Sequence, residues 1–95
     1  MHSHELSLGD ALKAFLAKSP VKHKLNEVRI QQLWEELMGK AVSKYTDSIQ
    51  FANGTLIITT HVAPLKQELM FSREKIKQLI NEALQEPLVE EVMIR

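Results

Sequence analysis

The segment SIQFANGTLIITT, residues 48–60, leaves its backbone little choice. Asn53-Gly54 is the preferred pair for a two-residue hairpin turn, because both positions need positive φ. The flanking residues alternate in polarity, the period of a strand with one buried face. Turn and alternation set one register: Ala52 opposite Thr55, Phe51 opposite Leu56, Gln50 opposite Ile57 and Ile49 opposite Ile58. Ile49, Phe51, Leu56 and Ile58 then share one face, and Ser48, Gln50, Thr55 and Thr59 the other. A slip of one residue would reverse every side chain, so the register is strongly specified.

Helical periods surround the hairpin. Leu8, Ala11, Leu12, Phe15 and Leu16 recur at steps of three and four after Ser7 and Asp10, a helix start. KSPVKHK is expected to end that helix, since the residue before proline avoids helical angles. A second helix is expected from about Leu25, with Val28 or Ile30, then Leu33, Trp34, Leu37 and Ala41 on its apolar side and Gly39 near its end. After His61, Pro64 suits a first helical turn, and Leu65, Leu69, Ile76, Leu79, Ile80, Ala83 and Leu84 form one long stripe. Pro87 ends it, and LVEEVMIR reads as a last strand with Val92 and Ile94 inward. The expected order is α-α-β-β-α-β: a small two-layer α+β domain, helices on one face of a three-stranded sheet. Residues 1–5 are expected to be a flexible start and 6–95 a single domain.

The 95 residues include no cysteine, which excludes a disulfide framework, a thiolate metal site and a cysteine nucleophile. No apolar run approaches the length of a membrane span, and the first residues lack the blocks of a signal peptide, so the expected location is the cytoplasm, with the nucleoid as an alternative. Twelve basic and twelve acidic residues cancel. Nucleic-acid-binding domains usually have a pI above about 9, so contact with phosphates would need a local patch.

Few residues invite chemistry. MGKA around Gly39-Lys40 lacks the earlier glycine and the following hydroxyl of a phosphate-binding loop. His2, His4, His23 and His61 form no ligand cluster, and Glu35-Glu36 and Glu90-Glu91 are adjacent pairs whose side chains diverge. No catalytic, metal or cofactor site is expected. Trp34 stands among aliphatic residues, and core packing is favoured over base stacking by roughly four to one. The candidates for phosphate contact are Lys18, Lys22, Lys24, Lys40 and Lys44. Lys66, Met70, Arg73 and Lys77, at steps of four, three and four, are the candidate partner surface.

An ordered series of residues carries a resemblance. Trp34, Gly39, Ala41-Val42, Thr46, Asn53-Gly54, Leu56, Ile58, Glu68-Leu69, Asn81, Val89, Val92 and Ile94 fall at spacings that resemble the DciA-like family, bacterial accessory and loading factors of the replicative DNA helicase. The chain departs from that pattern at Tyr45, Asp47-Ser48 and Ala63-Pro64-Leu65. The resemblance implies a KH-like fold and a non-enzymatic replication adaptor that binds the helicase and single-stranded DNA. KH domains grip backbones with a Gly-x-x-Gly loop. Gly9, Gly39 and Gly54 provide none, so the standard grip is expected to be missing. Two other readings stay open: an RNA-binding KH-like module, and an interaction domain that forms a weak homodimer through the open hairpin edge with Ile57 and Met93 outward.

Overall fold

The computed structural model describes residues 20–95, with side chains from residue 24 onward. The expected helix over Ser7–Leu16, with Lys13 and Lys18, lies outside the described residues. Helix α1 (Pro20–Met38) leads through Gly39 into the short α2 (Lys40–Lys44), followed by β1 (Ser48–Ala52) and β2 (Thr55–Thr59). Two helices, α3 (Ala63–Phe71) and α4 (Arg73–Leu84), then lead to β3 (Glu91–Ile94). The sheet order is β1-β2-β3, with β1 antiparallel and β3 parallel to β2.

The hairpin has the expected register, from Ala52↔Thr55 to Ser48↔Thr59. Asn53 and Gly54 take φ 51 and 80, the double positive-φ turn that suits the strand twist. The Gly54 carbonyl accepts the Glu90 amide at 2.8 Å and the Glu91 amide at 3.2 Å, so the hairpin tip also fixes the start of β3. Phe51, Leu56, Ile58 and Val92 are buried on one sheet face with Ile30 and Trp34 of α1, Leu69 of α3, and Ile76, Ile80 and Leu84 of α4. The alternate residues Gln50, Ile57 and Met93 lie side by side across the opposite face.

Several placements differ from those expected. The last strand is confined to Glu91–Ile94 within LVEEVMIR. Ala41 lies exposed on the separate helix α2, past the turn at Gly39, instead of on the apolar side of α1. The backbone is already helical at Pro20, ahead of Leu25. Proline lacks an amide hydrogen, but nothing prevents a helix on its C-terminal side. The long helix after Pro64 is broken at Ser72, whose φ −99 and ψ 12 lie outside the helical range. Arg73 Nε donates to the Met70 carbonyl at 3.1 Å, and the Ile76 amide returns to the Ser72 carbonyl at 2.8 Å. The stripe from Leu69 to Ile76 keeps its phase across the break, so both helices face the same core.

At Gly39 the chain turns with φ 90 and ψ 163, a region that is essentially glycine's alone. A Cβ there would meet nothing within 4 Å, so the backbone rather than space requires glycine. Helix α4 closes with Gln85 in the left-handed conformation; its amide bonds the Glu82 carbonyl at 3.2 Å and the Glu86 amide bonds the Asn81 carbonyl at 3.2 Å. These two bonds form a Schellman motif.

Candidate interaction surfaces

Trp34 is 1% exposed, a core residue. Its indole N–H donates to Thr46 Oγ1 at 3.0 Å, and the Thr46 hydroxyl donates to the Val42 carbonyl at 2.7 Å. A buried indole donor needs such a partner, and the relay ties α1 to the turn after α2. Thr60, also buried, donates to the Tyr45 carbonyl at 2.6 Å and accepts the Val62 amide at 3.2 Å. Asn81 holds the loop into β3 with two 2.9 Å bonds, its amide donating to the Val89 carbonyl and its oxygen accepting the Val89 amide. The motif residues Trp34, Gly39, Thr46, Asn53-Gly54 and Asn81 thus build the fold and present little to a ligand.

Among the described residues, Lys24 does not cluster with Lys40 and Lys44. Lys18 and the side chain of Lys22 lie outside the described residues. Lys24 is bound to Glu27 at 3.0 Å, near one end of α1. Lys40 and Lys44 follow the other end, about 20 Å away at 1.5 Å per residue. Lys40 and Lys44 sit four apart on α2, both exposed. Lys44 Nζ lies 5.7 Å from the ring centre of Tyr45, itself 45% exposed. Lys44 thus pairs with an open aromatic ring, and Lys40 lies one helical turn before it.

The partner-surface residues fare differently. Lys66, Met70 and Arg73 line one groove of about 350 Å³ with Ala63, Gln67 and Phe71, while Lys77 lies one turn further along α4. Arg73 reaches this groove although it belongs to the next helix, since the helical phase is kept across Ser72. Phe71 is 82% exposed, the most open large apolar side chain among the described residues, and Met70 beside it is 46% exposed. Sequence reasoning passed over Phe71. The available signal was its position two residues after Leu69, well off the apolar stripe, where a large aromatic serves no core. On its other side Phe71 shares a second groove with Glu74, Glu90, Glu91 and Val92.

Among the described residues one carboxylate, Glu27, has its titration shifted. Glu27 is held below its ordinary range, chiefly by the Phe51 amide it accepts and then by Lys24. His61 and Asp47 pair at 2.9 Å on the surface. No group of three His, Asp or Glu side chains that could hold a metal ion occurs among the described residues, and no described helix is long and apolar enough to cross a membrane.

Fold and surface together define a small α+β module whose buried polar groups are spent on structure and whose open features are an apolar patch and a basic, aromatic turn. The chain belongs to the DciA family, described as "Dna[CI] antecedent, DciA", which it matches over residues 7–94. That family is linked to loading of the DnaB replicative helicase. The chain matches no curated protein and no solved structure.

Proposed function

We propose that this protein is a non-enzymatic adaptor of DNA replication that binds the replicative helicase and contacts single-stranded DNA. Family membership over residues 7–94 carries the reading. The Met70-Phe71 patch, ringed by Lys66, Gln67 and Arg73, supports the protein-binding part. An aromatic anchor with an arginine beside it is the composition of interface hot spots. A KH-like arrangement, part of this proposal, would fit the same division of labour. In a KH domain the Gly-x-x-Gly loop joins two helices. Here α3 and α4 join at Phe71-Ser72-Arg73, which has no glycine and carries the apolar patch instead. DNA contact then falls to Lys40, Lys44 and the Tyr45 ring, with Lys18, Lys22 and Lys24 along the approach to and start of α1.

The test is a calorimetric titration of the full chain into its cognate helicase hexamer at near-physiological salt without DNA. Saturable binding at micromolar affinity is expected, and Phe71→Ala is expected to weaken it at least tenfold, about 1.4 kcal/mol. Absence of heat and of co-elution would overturn the adaptor reading. For DNA, replacing Lys40 and Lys44 by alanine is expected to lower the salt dependence of single-strand binding by about 0.7 per lost contact. An unchanged slope would remove those two lysines from the interface.

A further inference from the structure

The two edges of the sheet are treated differently. On β1 the outward-directed backbone groups are those of Ile49 and Phe51, and α1 supplies a partner for one group of each. Glu27 Oε2 accepts the Phe51 amide at 3.1 Å and Gln31 Nε2 donates to the Ile49 carbonyl at 3.0 Å. On β3 the Glu91 and Arg95 amides bond toward β2, to the carbonyls of Gly54 and Ile58. Alternation turns the amides and carbonyls of Val92 and Ile94 outward. Among the described residues nothing bonds them. An uncovered strand edge is a template for another strand.

From this edge we infer that the protein forms a two-fold symmetric dimer in which the β3 strands of two copies pair antiparallel, centred on Met93. The sequence of β3 chooses the occupant. With Met93 on the axis, Val92 of one copy stands opposite Ile94 of the other, so the outward groups of each meet and exchange four backbone hydrogen bonds in all. The same register places Glu91 directly opposite Arg95 of the second copy, twice. Both residues project from the open face of the sheet, both are exposed, and neither has a salt-bridge partner among the described residues. Directly opposed, oppositely charged side chains stabilise an antiparallel pair and like charges disfavour it. The open face adds an apolar row: Ile57 lies beside Met93 within one copy, and the dimer continues it as Ile57, Met93, Met93, Ile57. A register shifted by two residues either way loses both ion pairs, so β3 is complementary to itself in this one alignment.

The test is a concentration series of the full chain by sedimentation equilibrium. Reversible dimerisation is expected. Glu91→Arg and Arg95→Glu alone are each expected to raise the dissociation constant by about tenfold or more, since each sets like charges opposite one another twice. An equimolar mixture of the two variants restores both ion pairs and is expected to dimerise as well as the parent. Both positions are exposed, and unchanged Trp34 fluorescence checks that the variants remain folded. Amide exchange at Val92 and Ile94 is expected to slow as concentration rises. A monomer up to about 1 mM would overturn the proposal. So would a dimer indifferent to either charge reversal, a mixture that fails to pair, or protection of Val92 and Ile94 that arises only on adding helicase or DNA, each of which assigns the edge to another occupant.

Discussion

The carboxylate of Glu27 in the middle of a helix accepts the backbone amide of Phe51 in an edge strand at 3.1 Å, where a neighbouring strand would otherwise supply a carbonyl. Gln31, one turn on, supplies the complementary donor to Ile49. Side chains four apart on α1 thereby stand in for a missing fourth strand. The contact also anchors the helix to the hairpin independently of apolar packing.

This contact makes part of the stability depend on pH. The folded pKa of Glu27 lies below that of an unfolded glutamate, whose value is about 4.3. The group therefore stabilises the fold fully above the unfolded value, and this contribution disappears as pH falls through the folded value. Glu27→Ala is expected to cost about 1–3 kcal/mol at pH 7 and progressively less toward pH 3. Denaturant unfolding of both proteins across that range measures the difference, and a gap independent of pH would contradict the assignment.

Thr46 is expected to matter through its hydroxyl. Thr46→Val keeps the shape but leaves the Trp34 indole N–H and the Val42 carbonyl unpaired, at a cost of about 1–3 kcal/mol. Thr46→Ser retains both bonds and should lose less than half of that. Thermal melts followed by Trp34 fluorescence separate the two.

Asn81 is expected to be more sensitive to charge than to truncation. Asn81→Ala removes two bonds to Val89, whereas Asn81→Asp keeps the acceptor but turns a carboxylate against the Val89 carbonyl. At pH 7 the aspartate variant should be the less stable of the two. Its deficit should shrink near pH 3, where the carboxyl becomes a donor. Equal stabilities at both pH values would show that the pairing at Val89 carries little energy.

Gln85 occupies the left-handed position of a helix cap at φ 58, where a side chain is strained. Gln85→Gly is expected to stabilise the protein by about 0.5–1 kcal/mol, with no effect on partner binding, since the residue touches neither groove. A lower midpoint in chemical denaturation would show that glycine's gain in the unfolded chain outweighs the relief.

The hairpin was legible to the residue because its turn and its alternation are local and agree. The α3–α4 break was not, since a stripe running Leu65, Leu69, Ile76 has the same phase with or without a kink at Ser72. The edge contacts of Glu27 and Gln31 were equally hidden. Their partners are backbone groups, which leave no mark in the residue types of β1. The candidate surfaces were half legible. Lys66, Met70 and Arg73 converge as their spacing suggested, but Phe71, off the stripe, completes that patch. The candidate lysines come from two stretches of sequence, and the length of α1 keeps Lys24 far from Lys40. The series from Trp34 to Asn81 identified the family because those residues solve folding problems: a satisfied indole, a positive-φ hinge, a tight turn and a pinned loop.

Sealing one margin of the sheet has a consequence for how far association can proceed. A protein with two bare margins can add copies end on end without limit, and the product is a filament. Here a union at β3 leaves only the β1 margins, where Glu27 and Gln31 of each copy already hold the Phe51 amide and the Ile49 carbonyl, so a third member would have to displace those contacts to pair there. The helix that holds the hairpin therefore also works against growth beyond two, so that strand pairing can serve this chain while the other margin resists becoming an aggregation route.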